Sequence, residues 1–157
     1  SLRDWSSDVC SSDLESKDYL TRFLAQADAA GTATENIYHS LNPRAVKEIK
    51  QRRPELRVGL TVAMSMGGLP KTKADFYTLE QASFTPEFLA QAHALGREVH
   101  IWTVNDESTI RELLGAGVDG IVTDNVELAI RDRYLVANHP AADYRVGSTL
   151  AYLDIFR

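Results

Sequence analysis

The chain has 157 residues, 44% hydrophobic and 25% charged, with a net charge of −5 at neutral pH. That length supplies one domain with a real core. The acidic balance gives no footprint for nucleic acid, and no apolar run reaches the roughly 20 residues of a membrane span, so both function classes are set aside.

Residues 1–14 stand apart. RDWSSDVCSSDL, from Arg3 to Leu14, crowds Ser and Asp together and has no apolar period. It resembles a sequencing-library adapter translated in one frame, so it is read as a non-native leader outside the fold. Cys10 and Trp5 lie inside it; the remainder has no cysteine from which to infer a redox compartment, and Trp102 is its one tryptophan. No positively charged start precedes an apolar core, so no signal peptide is read.

From 15 to 30 the spacing predicts a helix with Tyr19, Leu20, Phe23, Leu24 and Ala27 on one face and Gly31 as its stop. NIYHSL, 36–41, reads as a short strand. Asn42 then caps a helix that has Pro43 in its first turn, where the missing N–H costs nothing. Val46 and Ile49 point inward, Lys47, Glu48, Lys50, Arg52 and Arg53 point to water, and Pro54 ends it. RVGLTVA, 57–63, is the next strand, followed by MSMGGLPKTK, a connection without helical period and longer than most. ADFYTLE, 74–80, reads as a further strand. Thr85 and Pro86 repeat the cap-then-proline start, with Phe88, Leu89, Ala92 and Leu95 as the buried stripe up to Gly96.

The stretch 98–124, EVHIWTVNDESTIRELLGAGVDGIVTD, reads strand, polar turn, helix, glycine-broken turn, strand. Its crossover forces the two strands parallel. EVHIWTV has the β-branched and aromatic composition of a strand buried on both faces. Asn105 and Asp106 stop it and offer oxygens to cap the helix of Ile110, Leu113 and Leu114, which Gly115 and Gly117 end. A last helix over about 125–137 follows, with Asp124 and Glu127 spaced as a capping box. The tail 139–157 has an apolar piece, 150–156, without an assigned role. Alternating strand and helix argues α/β with a parallel sheet. Neither a dinucleotide fingerprint nor a phosphate-binding P-loop is present, nor is a short repeat.

VHIWTVND followed by GAGVDGIVTDN resembles the C-terminal signature of the glycerophosphodiester phosphodiesterases, (β/α) barrel enzymes in which these segments are the seventh and eighth strands. YHSLNPRAVKEIKQRRPELRVGL is similar to that family's fourth strand, helix and fifth strand, and ADFYTLEQASFTPEFLAQAHALG to its sixth strand and helix. The resemblance implies a partial TIM (β/α) barrel of about the last five βα units over 15–138, since a whole barrel needs about 250 residues. The family's His-Arg-Gly strand, Glu-x-Asp pair and Glu-x-Lys strand have no counterpart here. An open barrel exposes two sheet edges, so pairing between copies is expected.

In a barrel the active site lies at the C-terminal ends of the strands. Those ends hold Ser40 and Asn42, Ser65, Thr78 and Glu80, Trp102 and Asn105, Thr123 and Asp124. The resemblance makes Trp102 a substrate-pocket wall for the glycerol or alcohol part of a diester; its plain reading is a core aromatic. His100, a layer deeper on the same face, is read as a satisfied core histidine rather than a base. Ser40 either hydrogen-bonds near the phosphate or ties down the rim. Asn105 is a third substrate-binding candidate, although capping the next helix is its favoured role, and Asp124 is mostly a cap. His39, His93 and His139 show no metal spacing, and no Ser/His/Asp constellation is argued.

The function implied is that of a fragment of a metal-dependent hydrolase that splits glycerophosphodiesters into an alcohol and glycerol phosphate. The family's calcium or magnesium ion and its proton-moving histidines belong to the half without a counterpart, so no bound metal and no turnover are expected of this chain. The alternative is a non-catalytic domain of barrel type that binds a phosphorylated or polyol ligand.

Overall fold

A computed structural model describes residues 17–64 and 68–138. The leader read over 1–14, the tail over 139–157 and Ser65 lie outside the described residues. The chain divides into two compact units, Ser1–Thr61 with Lys71–Ala74, and Val62–Pro70 with Asp75–Arg157. Strands and helices alternate along it except between the strands Arg57–Val62 and Phe76–Glu80, where no helix stands among the described residues, as the aperiodic connection implied.

The first unit contains α1 (Lys17–Ala29), β1 (Ile37–Ser40), α2 (Pro43–Arg52) and nearly all of β2 (Arg57–Val62). Leu20 and Leu24 of α1 are buried. Phe23 stacks on Tyr19 with centroids 6.2 Å apart and meets Tyr38 edge-on at 5.6 Å. Gly31 ends the helix with φ +67, a left-handed conformation that glycine reaches without a Cβ penalty. Asn42 caps α2 as expected, its Oδ1 accepting from the Arg44 N–H at 2.9 Å, with Pro43 in the first turn. Strands β1 and β2 pair in parallel from Ile37 opposite Arg57 to Ser40 opposite Leu60. Arg53 holds both oxygens of Asp28 at 2.8 Å and Glu55 at 2.5 Å, which raises the guanidinium pKa and lowers that of Glu55.

The second unit contains β3 (Phe76–Glu80), a short 3-10 turn (Gln81–Ser83), α3 (Pro86–Ala94), β4 (Glu98–Trp102), α4 (Glu107–Ala116), β5 (Gly120–Ile121) and α5 (Val126–Asn138). All its strand pairs are parallel: Phe76 opposite Glu98 through Glu80 opposite Trp102, then His100 opposite Gly120 and Ile101 opposite Ile121. The βαβ reading of 98–124 therefore holds. Phe76, Tyr77 and Leu79 of β3 and Val99 and Ile101 of β4 form a core with Val104 and Ile110. Burying each such side chain contributes about 1.5–3 kcal/mol.

Three expectations change. Strand β4 is not buried on both faces: Val99 and Ile101 are buried, while Glu98, His100 and Trp102, which alternate with them, are half-buried. Gly115 lies inside α4, and Gly117 at φ +92 does the stopping, its N–H meeting the Leu114 carbonyl at 3.1 Å. Leu95 is not in the buried stripe of α3; it sits past the last helical turn and is 61% exposed. Among the described residues no helix is long and apolar enough to cross a membrane.

Candidate functional site

Trp102 closes β4. Its indole N–H donates to the Thr78 carbonyl of the neighbouring strand at 3.1 Å, which holds the ring over the β3–β4 pair. The peptide bond to Thr103 is cis. The residue is partly exposed, with most of its surface covered. Its polar edge is engaged, so the aromatic surface is what it offers to solvent. His100, two residues back on the same face, stacks on Phe76 with centroids 4.9 Å apart and has Nε2 3.1 Å from a Glu98 carboxylate oxygen. It is the satisfied histidine expected of it. A Cβ on Gly120 would stand 2.8 Å from the ring's Cδ2, so glycine is what lets β5 approach here.

Asn105 is not a helix cap. That role falls one residue later, to Asp106, whose carboxylate accepts from the Thr109 N–H at 2.9 Å, the Thr109 hydroxyl at 2.8 Å and the Ser108 hydroxyl at 2.5 Å. Those donors hold the Asp106 carboxyl down at about 2, and the helix N-terminus favours the same charge. The same displacement occurs at α5. Asn125 accepts from the Leu128 N–H at 3.2 Å, so Asp124 is not the cap and the Asp124–Glu127 capping box does not form.

The two residues released from capping meet each other. Asn105 Nδ2 donates to Asp124 Oδ2 at 2.7 Å, while Asn105 Oδ1 accepts from the Asp124 N–H at 2.9 Å and the Thr123 hydroxyl at 3.0 Å. A carboxamide has two N–H donors and two acceptor positions. One N–H remains beyond the bonds just named, and it sits on the exposed rim with a carboxylate beside it. The β4–β5 ladder sets this up, because the Val104 N–H reaches the Val122 carbonyl at 2.9 Å and brings 105 opposite 123 and 124. The roles of Thr123 and Asn125 were not read from the sequence. The signal available was that each strand ends in two adjacent polar residues, either of which can cap.

Ser40 belongs to the first unit. Its Oγ accepts from the Asn42 N–H at 3.1 Å, so it ties the end of β1 to the start of α2. Among the described residues no three His, Cys, Asp or Glu side chains converge to hold a metal ion. A hard divalent cation takes six or more oxygen ligands, so the residues described do not fit one.

The model of the glycerophosphoryl diester phosphodiesterase family matches residues 4–128, a span that starts within the leader. A glycerophosphodiester phosphodiesterase of Caldanaerobacter subterraneus is 29% identical over 101 residues, 60% of this chain and 40% of that protein. The crystal structure of a glycerophosphodiester phosphodiesterase from Parabacteroides distasonis superimposes with a TM-score of 0.68 at 22% identity, over 76% of this chain and 52% of that one. An Oleispira antarctica phosphodiesterase, solved with the product sn-glycerol-3-phosphate, superimposes with a TM-score of 0.53 at 22% identity, over 61% of this chain and 40% of that one. Such neighbours are TIM barrels, and the parallel α/β arrangement found here is part of one. The chain spans less than half the length of the curated relatives it matches.

Proposed function

The chain belongs to the glycerophosphoryl diester phosphodiesterase family, and from that premise we propose that it supplies the Trp102–Asn105 wall of a site where a glycerophosphodiester is hydrolysed to an alcohol and glycerol phosphate. The observation that carries the proposal is the Asn105–Thr123–Asp124 cluster at the strand ends beside a half-buried Trp102. The glycerol phosphate held by the Oleispira antarctica protein supports the choice of ligand.

Charge decides how such a ligand lies. The Asp124 carboxylate repels a phosphate diester and accepts from hydroxyls, so the cluster takes glycerol hydroxyls and the phosphate lies away from it. The remaining Asn105 N–H donates to a hydroxyl oxygen, and Trp102 covers the carbon chain with its face. Ser40 is a separate candidate within its own unit, where its hydroxyl accepts from the Asn42 N–H and can donate to a ligand. Hydrolysis adds water at phosphorus and returns a proton to the departing alcohol oxygen. The groups that hold a calcium or magnesium ion and move that proton are assigned outside the described residues, so this chain alone is proposed to bind weakly and not to turn over.

The test is two-dimensional NMR of the labelled chain titrated with glycerophosphocholine, followed by a hydrolysis assay with and without calcium or magnesium. Shifts confined to the Trp102 indole and Asn105 side-chain amide, reduced in Asp124→Ala, support the reading. Metal-dependent turnover that Asp124→Ala abolishes would show that this chain carries its own catalytic site, and would overturn it.

A further inference from the structure

Glu80 closes β3 directly opposite Trp102, the last residue of β4. In-register neighbours on parallel strands stand about 4.8 Å apart and share a face of the sheet. Two contacts fix which residues share this one: the Phe76 ring stacks on His100, and the Trp102 indole N–H reaches the Thr78 carbonyl. Residues 76, 78 and 80 therefore run in one column beside 98, 100 and 102. The indole leans across β3 at Thr78, and Glu80 is next in that column, at the strand end. The neighbouring acids are engaged: Glu98 with His100, Asp106 with the start of α4, Asp119 with His93 and the Val99 N–H, Asp124 with Asn105. Glu80 differs. It opens the 3-10 turn Gln81–Ser83 without a side-chain cap bond, and among the described residues its carboxylate has neither a hydrogen bond nor an ion pair. It is only partly exposed, and a carboxylate drawn part way out of water gains from a cation beside it.

We infer that the Glu80 carboxylate and the face of Trp102 form a subsite for a quaternary ammonium, the charged end of the alcohol part of a zwitterionic diester. The polar edge of the indole is engaged, so what it presents is a π face, which attracts cations. A primary ammonium brings three N–H donors that need acceptors. A quaternary ammonium brings none, and a ring face with one negative charge satisfies it. Along the order β3-β4-β5, Trp102 stands between Glu80 on one side and the Asn105–Asp124 cluster on the other. A diester carries its glycerol and its alcohol on opposite sides of one phosphate. Glycerol hydroxyls at Asp124 therefore leave the alcohol to the Glu80 side, and the phosphate, repelled by both carboxylates, turns away from the rim. The inference rests on the function proposed above and adds the class of alcohol that the site takes.

The test is two-dimensional NMR of the full labelled chain titrated at one ionic strength with choline, with neohexyl alcohol, its uncharged isostere, and with ethanolamine. Choline should move the Trp102 indole signal and bind about tenfold more tightly than either of the others. Glu80→Gln keeps the size and removes the charge, and should bring choline to within about threefold of the isostere. Glu112→Gln, exposed on α4, should change nothing. Circular dichroism checks that the variants keep the parent fold. Choline that leaves the indole unmoved, an isostere or ethanolamine that binds as tightly, or a preference that survives Glu80→Gln would each overturn the inference. Glycerophosphocholine separates it from the function proposed above, because Glu80→Gln and Asp124→Ala should each weaken its binding. A loss in Glu80→Gln alone upholds the ammonium subsite and counts against the hydroxyl cluster. A loss in Asp124→Ala alone does the reverse.

Discussion

Replacing Gly120 with alanine tests the packing that holds the last strand in place. Gly120 lies opposite His100 in the parallel β4–β5 pair. An added Cβ would stand 2.8 Å from His100 Cδ2, 3.1 Å from Cγ and 3.4 Å from Nε2. The ring has little room to retreat, because Phe76 stacks on it at 4.9 Å and Glu98 holds Nε2 at 3.1 Å. Overpacking of this kind costs about 1–3 kcal/mol, and the lower unfolded-state entropy of alanine returns about 0.5–1 kcal/mol. The net expectation is a loss of about 1–2 kcal/mol, or about 4 °C in Tm for a chain of this size. Urea and thermal unfolding measure it. In a His100→Ala background the clash partner is gone, so the same substitution should become neutral or slightly stabilising. An equal loss in both backgrounds would refute the steric argument, and no loss in the parent would refute the placement of the ring.

Asp132→Ala should cost about 1.5–3 kcal/mol in urea unfolding, because the buried Arg111 guanidinium loses one carboxylate partner and keeps Glu107; a loss under about 0.5 kcal/mol would show that the Arg111–Asp132 pair is not buried as described. The Asp106 carboxyl sits at about 2 in the folded chain, below the about 3.9 of an unperturbed aspartate. Its contribution is therefore complete above pH about 4 and lost as pH falls toward 2. Hydrogen exchange at the Thr109 amide should accelerate over that window, and Asp106→Asn should flatten the response. The purified chain should sediment above its 17.4 kDa mass as concentration rises, through its open strand edges; a monodisperse monomer would contradict this.

Periodicity and cap chemistry were enough to read the alternation of elements, because each long helix has an apolar face and a polar start. Asn42 and Thr85 were legible as caps since each precedes a proline, and the Asn42-Pro43 and Thr85-Pro86 pairs leave one choice of first turn. Asn105-Asp106 and Asp124-Asn125 offer two choices each, and local sequence does not separate them. The tertiary ladder does: the Val104 to Val122 hydrogen bond extends pairing past β4 and sets Asn105 against the β5–α5 turn. The burial of Leu95 was misread because the apolar period continued one residue beyond the last turn that faces the core. Of the site, the strand-end positions of Trp102, Ser40 and Asn105 were readable. The joining of Asn105 to Asp124 was not, since it depends on two distant strands lying side by side.

That joining also explains why an amide rather than an acid stands at 105. The carboxylate at Asp106 accepts three hydrogen bonds at a helix N-terminus, where an acceptor-only group with negative charge is favoured. Position 105 must both accept, from the Thr123 hydroxyl and the Asp124 N–H, and donate to the Asp124 carboxylate, and a carboxamide does both. Asn105→Asp keeps the shape and removes the donor, leaving two carboxylates in contact. Like charges that close force one of the pair to hold its proton to higher pH than in the unfolded chain. A group with a raised folded pKa stabilises below its unfolded value and loses that contribution as pH rises. The variant should therefore be least stable relative to the parent at neutral pH and recover as the solution is acidified toward pH 4. This dependence is opposite in sign to that of the neighbouring Asp106 cap. Urea midpoints measured from pH 7 down to pH 4 give the comparison. A deficit that stays constant across that range would mean that Asn105 and Asp124 do not touch.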